Sequence, residues 1–236
     1  MLNKALILFV ICFSFSAVAE EYVVKNVDED LHVHLQSEQV VNLAAIVVPK
    51  SVRAKAVSFL NDVLVDRKIV MKNAYKNRYG NLEGYVFANG KLLQNELIRQ
   101  GLAYVYSLND DDKYMKKMQE FEHIAMSSKA GIWAKDVAFF SALDKKQMLE
   151  NKGEFALIFG TVLEVKKVRD KLFINFEKDW KTDFTVIIKK EHWKKFDENF
   201  LRGLPGRKIR VRGWLESYYG PLLEIYNMVQ IERGIW

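Results

Sequence analysis

The chain has 236 residues, of which half are apolar and 28% are charged, so its composition excludes a disordered protein and leaves room for one large or two small domains. Its 36 basic and 30 acidic residues give a formal net charge of +6, a modest excess that permits a nucleic-acid partner without requiring one. The single cysteine, Cys12, lies in an N-terminal apolar run, and the sequence after this run contains no cysteine. Disulfides, cysteine catalysis and thiolate metal sites are therefore excluded there.

The first 19 residues have the three-part pattern of a secretory signal peptide. Lys4 precedes an apolar run over residues 5–15, and Ala17, Val18 and Ala19 supply the small residues of a cleavage site. The apolar run is too short to span a bilayer, which favours a cleaved segment over an uncleaved anchor. We therefore expect an exported protein, periplasmic or secreted, without a membrane span after cleavage.

The next part of the chain predicts a small barrel with one early helix. Residues 21–33 and 39–48 have the apolar pattern of strands, and Pro49 ends the second of them. Ser51 can cap a following helix, in which apolar residues recur at helical spacing at Ala54, Val57, Phe59, Leu60 and Leu64. Residues 68–73 predict a further strand.

Residues 75–133 predict two strands joined by a tight turn at Asn89 and Gly90, a short helix ending at Gly101, a strand at residues 104–106 and a last amphipathic helix. Together with VNLAAIVVPK at residues 41–50, this stretch resembles the staphylococcal nuclease (thermonuclease) family. The resemblance implies a five-stranded barrel with helices packed around it.

The second half predicts another barrel. Residues 136–152 indicate a charged helical linker, and residues 153–236 indicate three strands, a helix over residues 191–202 and two strands, a pattern that resembles the OB-fold. The aromatic residues Phe173, Phe176, Phe184 and Trp214 are expected to fill this barrel. The predicted fold is mainly β with helices (α+β) and contains two tandem OB-like five-stranded barrels, the first of staphylococcal nuclease type. The predicted segments are a signal peptide (1–19), a nuclease-like domain (20–135), a helical linker (136–152) and an OB-like domain (153–236).

The resemblance also implies which residues should carry nuclease chemistry. The family uses carboxylates that bind calcium, a glutamate that assists the attacking water, and two arginines that clamp the phosphate. Of these positions, only Asp30 matches a calcium ligand. The two arginines are replaced by Asn42 and Asn81, the other calcium ligands by Val47 and Val48, and the glutamate by Lys50. We therefore expect a nuclease fold with no catalytic residues and no cofactor, and we expect Val47 to fill part of the metal cavity.

Two alternatives concern catalysis and metals. The chain could be a secreted or periplasmic calcium-dependent endonuclease with a rearranged site, in which case calcium would be its cofactor. His32 and His34 are spaced so that they share one strand face and could ligate zinc or copper, but two ligands are too few. Residues 110–112, three aspartates, are interpreted as a solvated loop because the glycine and glutamate of a calcium loop are absent.

The second barrel offers candidate binding residues. From residue 153 onward, basic residues exceed acidic ones by 16 to 12. The loops expected to flank an OB binding face contain basic groups and aromatic rings, and proteins that bind single-stranded nucleic acid combine these two kinds of side chain. The candidate binding residues are Lys166, Lys167, Arg169, Lys171, Trp180, Tyr218 and Tyr219. The same residues could instead contact a protein or cell-envelope partner.

Overall fold

A computed structural model of the chain describes residues 20–108, 112–134, 139–179 and 182–234. The predicted signal peptide, the aspartates at 110 and 111, and Trp180 lie outside these residues. Among the described residues, every helix is too short or too polar to cross a bilayer.

The first half contains eight strands and three α-helices among its described residues. They are β1 (Glu21–Val27), β2 (Val33–Leu35), β3 (Val40–Leu43), β4 (Ile46–Val47), α1 (Lys50–Leu64), β5 (Lys68–Lys76), β6 (Leu82–Ala88), β7 (Lys91–Leu92), α2 (Leu93–Arg99), β8 (Tyr104–Val105) and α3 (Asp112–Ser127).

Five of these strands close into a barrel. Strand β1 pairs antiparallel with β2 and β5, β2 pairs with β3, and β5 pairs with β6. The parallel pairing of β3 with β6 completes the ring. This order of three strands, a helix and two strands, with the third and fifth strands parallel, is the connectivity of an OB-type barrel, so the prediction for the first domain is confirmed.

Helix α1 packs on the barrel through residues spaced four apart, as a helix with one apolar face must. These residues, Val52, Ala56, Leu60 and Leu64, are buried. The predicted cap at Ser51 is wrong. Pro49 occupies the N-cap position in extended conformation and no side chain caps the helix. The helix begins at Lys50 because proline has a preset φ and is tolerated at the start of a helix.

Glycines with positive φ form one hairpin turn and one helix end of the first half. Asn89 and Gly90 both have positive φ, 50° and 75°, which confirms the predicted hairpin turn. Gly101 ends α2 with φ +65°, and a Cβ there would lie 2.0 Å from the carbonyl oxygen of Ala130. The Ile132 N–H donates a hydrogen bond of 2.9 Å to the Gly101 carbonyl oxygen. The ends of α2 and α3 therefore meet backbone to backbone, which requires glycine.

The second half contains nine strands and two α-helices among its described residues. They are β9 (Phe139–Ser141), α4 (Lys145–Glu150), β10 (Phe155–Thr161), β11 (Glu164–Val168), β12 (Lys171–Asn175), β13 (Thr185–Lys189), α5 (Glu198–Arg202), β14 (Lys208–Trp214), β15 (Glu216–Ser217), β16 (Pro221–Glu224) and β17 (Ile231–Arg233).

These strands form a second barrel with the same connectivity as the first. Strand β10 continues into β11, and β14 continues into β15, so each pair acts as one bent strand. Strand β10 pairs with β14, β11 with β12, β12 with β13, and β15 with β16, all antiparallel. The parallel pairing of β13 with β16 corresponds to that of β3 with β6. The prediction of two tandem OB-like barrels is confirmed.

The predicted helical linker is wrong in part. Residues 139–141 form strand β9, which pairs parallel with β10, and only residues 145–150 are helical. The side chains of Phe140 and Met148 are buried in the core of the second barrel, so this segment is an extension of that barrel. The predicted helix over residues 191–202 is also interrupted, because Asp197 starts a new helix by accepting a hydrogen bond from the Phe200 N–H.

A buried ionic cluster joins the two barrels. Arg212 of β14 has no exposed side-chain area, and it donates to Glu122 of α3 at 2.7 Å, to the Val105 carbonyl oxygen at 2.9 Å and to Glu232 of β17. Arg210 donates to Glu232 at 2.6 Å. Glu122 also accepts from the Val105 N–H at 2.8 Å. Two cations and two anions therefore neutralise one another, and the bonds from Arg212 to Glu122 and to the Val105 carbonyl oxygen link one half of the chain to the other.

An aromatic column crosses the same boundary. Tyr104 of the first barrel stacks on Phe155 of the second with ring centroids 5.4 Å apart, and Trp133 and Trp214 meet the two ends of this pair at 5.3 Å and 5.6 Å. The Asn227 side chain donates to the Ser107 carbonyl oxygen at 2.7 Å. The barrels therefore share an interface with apolar, ionic and hydrogen-bonded contacts, and we expect them to unfold together.

We expect Arg212→Ala to lower the free energy of unfolding by about 3–5 kcal/mol, because it leaves Glu122 and part of Glu232 buried without their cation. The matched control is Arg202→Ala, which removes an exposed pair with Glu198 and should cost less than about 1 kcal/mol. Urea denaturation measures both values. Equal effects of the two substitutions would contradict the importance of the cluster.

The same cluster predicts acid sensitivity. Burial raises the pKa of Glu232, but Arg212 and then Arg210 outweigh this effect and lower the pKa from its ordinary value of 4.5 to about 2. A carboxyl whose pKa is lower in the folded state stabilises the fold above its ordinary pKa, and this stability is lost as pH falls through the folded pKa. We expect the free energy of unfolding to decline between pH 4.5 and about 2. The decline should be shallower in Glu232→Gln, and parallel curves for the two proteins would refute this assignment.

Candidate functional site

A cavity of about 170 Å³ opens on the first barrel where the resemblance implies nuclease chemistry. Its polar walls are Asp30, His32 and Asn42, which come from the loop after β1 and from β3. The remaining walls are apolar and come from several elements: Leu31, Leu43, Ile46, Val48, Leu60 and Leu97. The cavity is therefore a mostly apolar hollow with one carboxylate, one imidazole and one amide at its edge.

Asp30 is the only carboxylate among the residues that line this cavity, and it is already paired. Its Oδ1 accepts from Arg53 of α1 at 3.2 Å. Calcium takes six to eight oxygen ligands, usually with several carboxylates, and the nearby apolar walls supply none. The residues present do not fit a calcium ion. Within the described parts of the chain, there is also no group of three His, Cys, Asp or Glu side chains placed to hold a metal.

The structure brings only some of the predicted site residues together. Asn42 lines the cavity, and its buried Oδ1 has no hydrogen-bond partner among the described residues. Val48 lines this cavity and also a different one between the barrels, and Val47 and Lys50 border only the latter. Asn81 lies in the turn between β5 and β6, where its N–H donates to Asn77, and it is not among the cavity walls.

The expectation that Val47 fills the metal cavity is wrong. The short strand β4 pairs with β8, with Val47 opposite Tyr104 and Ile46 opposite Val105. Because successive side chains in a strand point to opposite faces, Ile46 and Val48 line the cavity and Val47 points away from it. The side chain of Lys50 likewise points outward, to Glu154 of the second barrel at 3.0 Å.

A carboxylate with two histidines lies beside the cavity, and Asp28 was not among the predicted site residues. Asp28 Oδ2 contacts His32 Nδ1 at 3.1 Å and His34 Nε2 at 2.8 Å. Burial raises the pKa of Asp28, but hydrogen bonds from His34 and His32 lower it to about 2. Both imidazoles are thus used to hold one carboxylate. The spacing of the two histidines was visible in the sequence, but their shared partner depends on the chain turn at Leu31, where φ is 68°.

Two groups of the predicted binding residues, around Arg169 and around Tyr218 and Tyr219, lie at opposite ends of strand β13. The basic hairpin that includes Arg169 packs near the end of β13, where Lys190 pairs with Asp170 at 3.3 Å. The turn that includes Tyr218 and Tyr219 packs near its start, because a Cβ at Gly220 would lie 2.5 Å from the Asp183 carbonyl oxygen. The two groups are separated by about 23 Å along an extended strand. They do not form one compact site.

The sheet surface between these ends carries an outward-facing aromatic residue. Phe173 pairs directly with Lys166 on one side and Ile187 on the other, while its neighbour Ile174 is buried in the core. Lys171 lies two residues away on the same face. The expectation that Phe173 fills the barrel is wrong, since it belongs to neither core cluster, and Trp214 is likewise 45% exposed. Phe176 and Phe184 are buried as predicted.

Lys167 lies on the opposite face of β11 from Lys166. Its ammonium lies 4.1 Å from the ring centroid of Trp193, in a cation–π contact. Of the four predicted basic residues, Lys166 and Lys171 therefore border Phe173. Arg169 occupies the hairpin turn with φ 52°. We name Lys166, Lys171, Phe173 and Ile187 the outer face of the second barrel.

Comparison with known proteins identifies the first barrel. Residues 41–135 match the family described as staphylococcal nuclease homologue. The chain is 38% identical over 68 residues to the SPbeta prophage-derived endonuclease YokF of Bacillus subtilis (strain 168), and 39% identical over 67 residues to endonuclease YncB of the same organism. These matches cover 28% and 27% of this chain, and 22% and 31% of the two relatives.

The barrel topology, the order of its helices and this match agree: residues 41–135 are a domain of the staphylococcal nuclease homologue family. The chain covers less than a third of the length of both relatives. The family match ends at residue 135, so the second barrel lies outside it.

We expect calcium to leave the thermal stability of the protein unchanged, because Asp30 is the one cavity carboxylate and is paired with Arg53. A ligand at 100 times its dissociation constant would add about 2.7 kcal/mol to the stability. Thermal unfolding with millimolar calcium, against magnesium at the same ionic strength, measures the effect. A calcium-specific rise that is absent in Asp30→Asn would contradict this expectation.

Proposed function

We propose that this protein is an exported, non-catalytic nuclease-fold protein that binds single-stranded nucleic acid through the second barrel. The observation that supports the loss of catalysis is the composition of the first-barrel cavity, which has one carboxylate, already paired with Arg53, and an asparagine at the arginine position. An amide cannot neutralise the charge that develops on a phosphate as a guanidinium does.

The outer face of the second barrel supports the choice of ligand. Lys166 lies on the first strand, β11, and the other three residues lie on the second and third strands, β12 and β13, which are the strands that OB-folds commonly use for oligonucleotides. Phe173 offers a ring on which a base can stack, and Lys166 and Lys171 lie beside it in the register of the sheet. Stacking together with flanking cations binds single strands with little dependence on sequence.

Not all charges on this surface favour a polyanion. Glu224 lies on the neighbouring strand β16, but it is paired with Lys189 at 2.8 Å. Glu164 accepts from Asn175 at 3.1 Å. Lys166 and Lys171 have no ion pair with a described residue, so they remain available to phosphates.

A second candidate is a calcium-dependent endonuclease with a rearranged site. Two relatives carry the name endonuclease, which favours this reading. The residues that line the cavity argue against an endonuclease, because metal-assisted hydrolysis requires several ligands that bind and orient the ion, and the cavity offers one carboxylate.

One experiment separates these proposals. Purified protein is incubated with single- and double-stranded DNA and RNA in the presence of calcium, and its binding to a labelled single strand is measured over a range of salt concentrations. We expect no turnover, and binding that weakens steeply with salt. Lys166→Glu combined with Lys171→Glu should reduce binding, whereas the matched control Lys91→Glu combined with Lys116→Glu, at exposed lysines of the first half, should not.

Turnover that is abolished by Asp30→Ala would establish the enzyme and overturn the non-catalytic proposal. Equal binding by the two double variants would refute the outer face as the site. Absence of strand binding by the wild-type protein would leave a protein or cell-envelope partner as the alternative. Export is tested by recovering the protein from the periplasm or the medium and measuring its mass. The mass should correspond to a chain that begins at Glu20.

A further inference from the structure

A larger cavity, of about 700 Å³, lies between the two barrels. The first barrel contributes the residues from Val47 to Arg53 together with Lys55 and Tyr104, and the second contributes Glu154, Phe155 and Trp214, among others. This volume is in the range of sites that hold small ligands or parts of larger ones. We name it the inter-barrel cleft.

The cleft has an exposed indole held on a rigid support. Trp214 is 45% exposed although it lies opposite Phe155 in the sheet register. Its ring meets Phe155 at 5.6 Å, and Phe155 stacks on Tyr104 at 5.4 Å. An exposed tryptophan that is backed by other aromatic rings loses little conformational freedom when a flat ligand stacks on it.

The opposite wall of the cleft is basic. Lys50, Arg53 and Lys55 all border it, against one bordering carboxylate, Glu154. Lys50 pairs with Glu154 at 3.0 Å, and Arg53 pairs with Asp30. Lys55 has no ion pair with a described residue. The bordering charges therefore leave the cleft positive, which suits an anionic ligand.

We propose that the inter-barrel cleft binds one nucleotide of a single-stranded nucleic acid, with its base stacked on Trp214 and its phosphate near Lys55 and Arg53. This inference rests on the proposed function for the class of ligand, and it adds a site to which both barrels contribute. A duplex does not fit this arrangement, because its bases are paired and stacked on one another and cannot cover an indole ring.

The hairpin that follows Trp214 supplies a path for the rest of the strand. Tyr218 and Tyr219 lie at the tip of the turn between β15 and β16, and they are 74% and 80% exposed. Four residues of extended chain place Tyr218 about 13 Å from Trp214. Three exposed aromatic side chains thus follow one another along this segment and can stack successive bases.

The test uses the whole protein, labelled with 5-fluorotryptophan, and an oligodeoxythymidine of about twelve nucleotides. The chain has five tryptophans, and Trp214→Phe assigns the fluorine resonance of interest. We expect the Trp214 resonance to shift as the oligonucleotide is added, while that of the buried Trp133 stays unchanged.

Fluorescence anisotropy of a labelled oligonucleotide measures the variants. Trp214→Ala should weaken binding about tenfold, the loss expected for one stacked base. Lys55→Glu should reduce the slope of log affinity against log salt by about 1, and Lys91→Glu should leave that slope unchanged. Glu154→Gln should strengthen binding, because it removes the carboxylate that faces the strand. Circular dichroism confirms that each variant is folded, and Lys55→Glu and Glu154→Gln carry the test if Trp214→Ala does not fold.

The outcomes distinguish this inference from the proposed function. If the oligonucleotide binds while the Trp214 resonance stays fixed and the cleft variants bind normally, the cleft inference is overturned and the proposed function stands. If the wild-type protein binds no strand, both are overturned. Thymidine monophosphate at equal concentration is the last comparison. If it shifts the Trp214 resonance as strongly as the oligonucleotide does, the cleft binds a free nucleotide, and the inference that it binds a nucleic-acid strand is overturned.

Discussion

The ion pairs among Arg210, Arg212, Glu122 and Glu232 hold the structure together, because they are buried at the boundary of the two barrels. A single charge of this group would be costly to remove from water, but the set is neutral and its members also bond the backbone of Val105. The bonds from Arg212 to Glu122 and to the Val105 carbonyl oxygen cross the boundary, so they tie together the two barrels that border the inter-barrel cleft.

The two barrels repeat one connectivity with different surfaces. In the first barrel, the cavity has one carboxylate, Asp30, and mostly apolar walls that include Ile46 and Val48. In the second barrel, polar and aromatic groups are exposed on the sheet and on its hairpins. One architecture therefore carries a mostly apolar cavity in the first half of the chain and an exposed polar and aromatic surface in the second, so the fold alone does not define a function.

Lys50 and Val47 face the boundary between the two barrels and not the first-barrel cavity. The resemblance to the nuclease family implies a glutamate at position 50, and in this chain the lysine there pairs with Glu154 of the second barrel. Lys50 thus places a cation at the border of the inter-barrel cleft, which Val47 also lines.

The sequence by itself determined the elements that depend on local chemistry. The turn at Asn89 and Gly90, the helix that ends at Gly101 and the alternation of buried residues in the strands could be predicted, because each rests on backbone preference or periodicity. The resemblance to the nuclease family also indicated the positions at which that family's catalytic residues are expected.

Only the tertiary structure decided which side chains meet. It left Phe173 outside both cores and Trp214 exposed, joined residues 139–141 to the second sheet, separated the basic hairpin from Tyr218, and brought Arg212 to Glu122 across 90 residues of chain. Alternation in a strand gives two faces but does not say which one is inside, and long-range pairing depends on how the barrels close and dock. The physical reason is that these contacts are fixed by packing between distant segments, which no local pattern encodes.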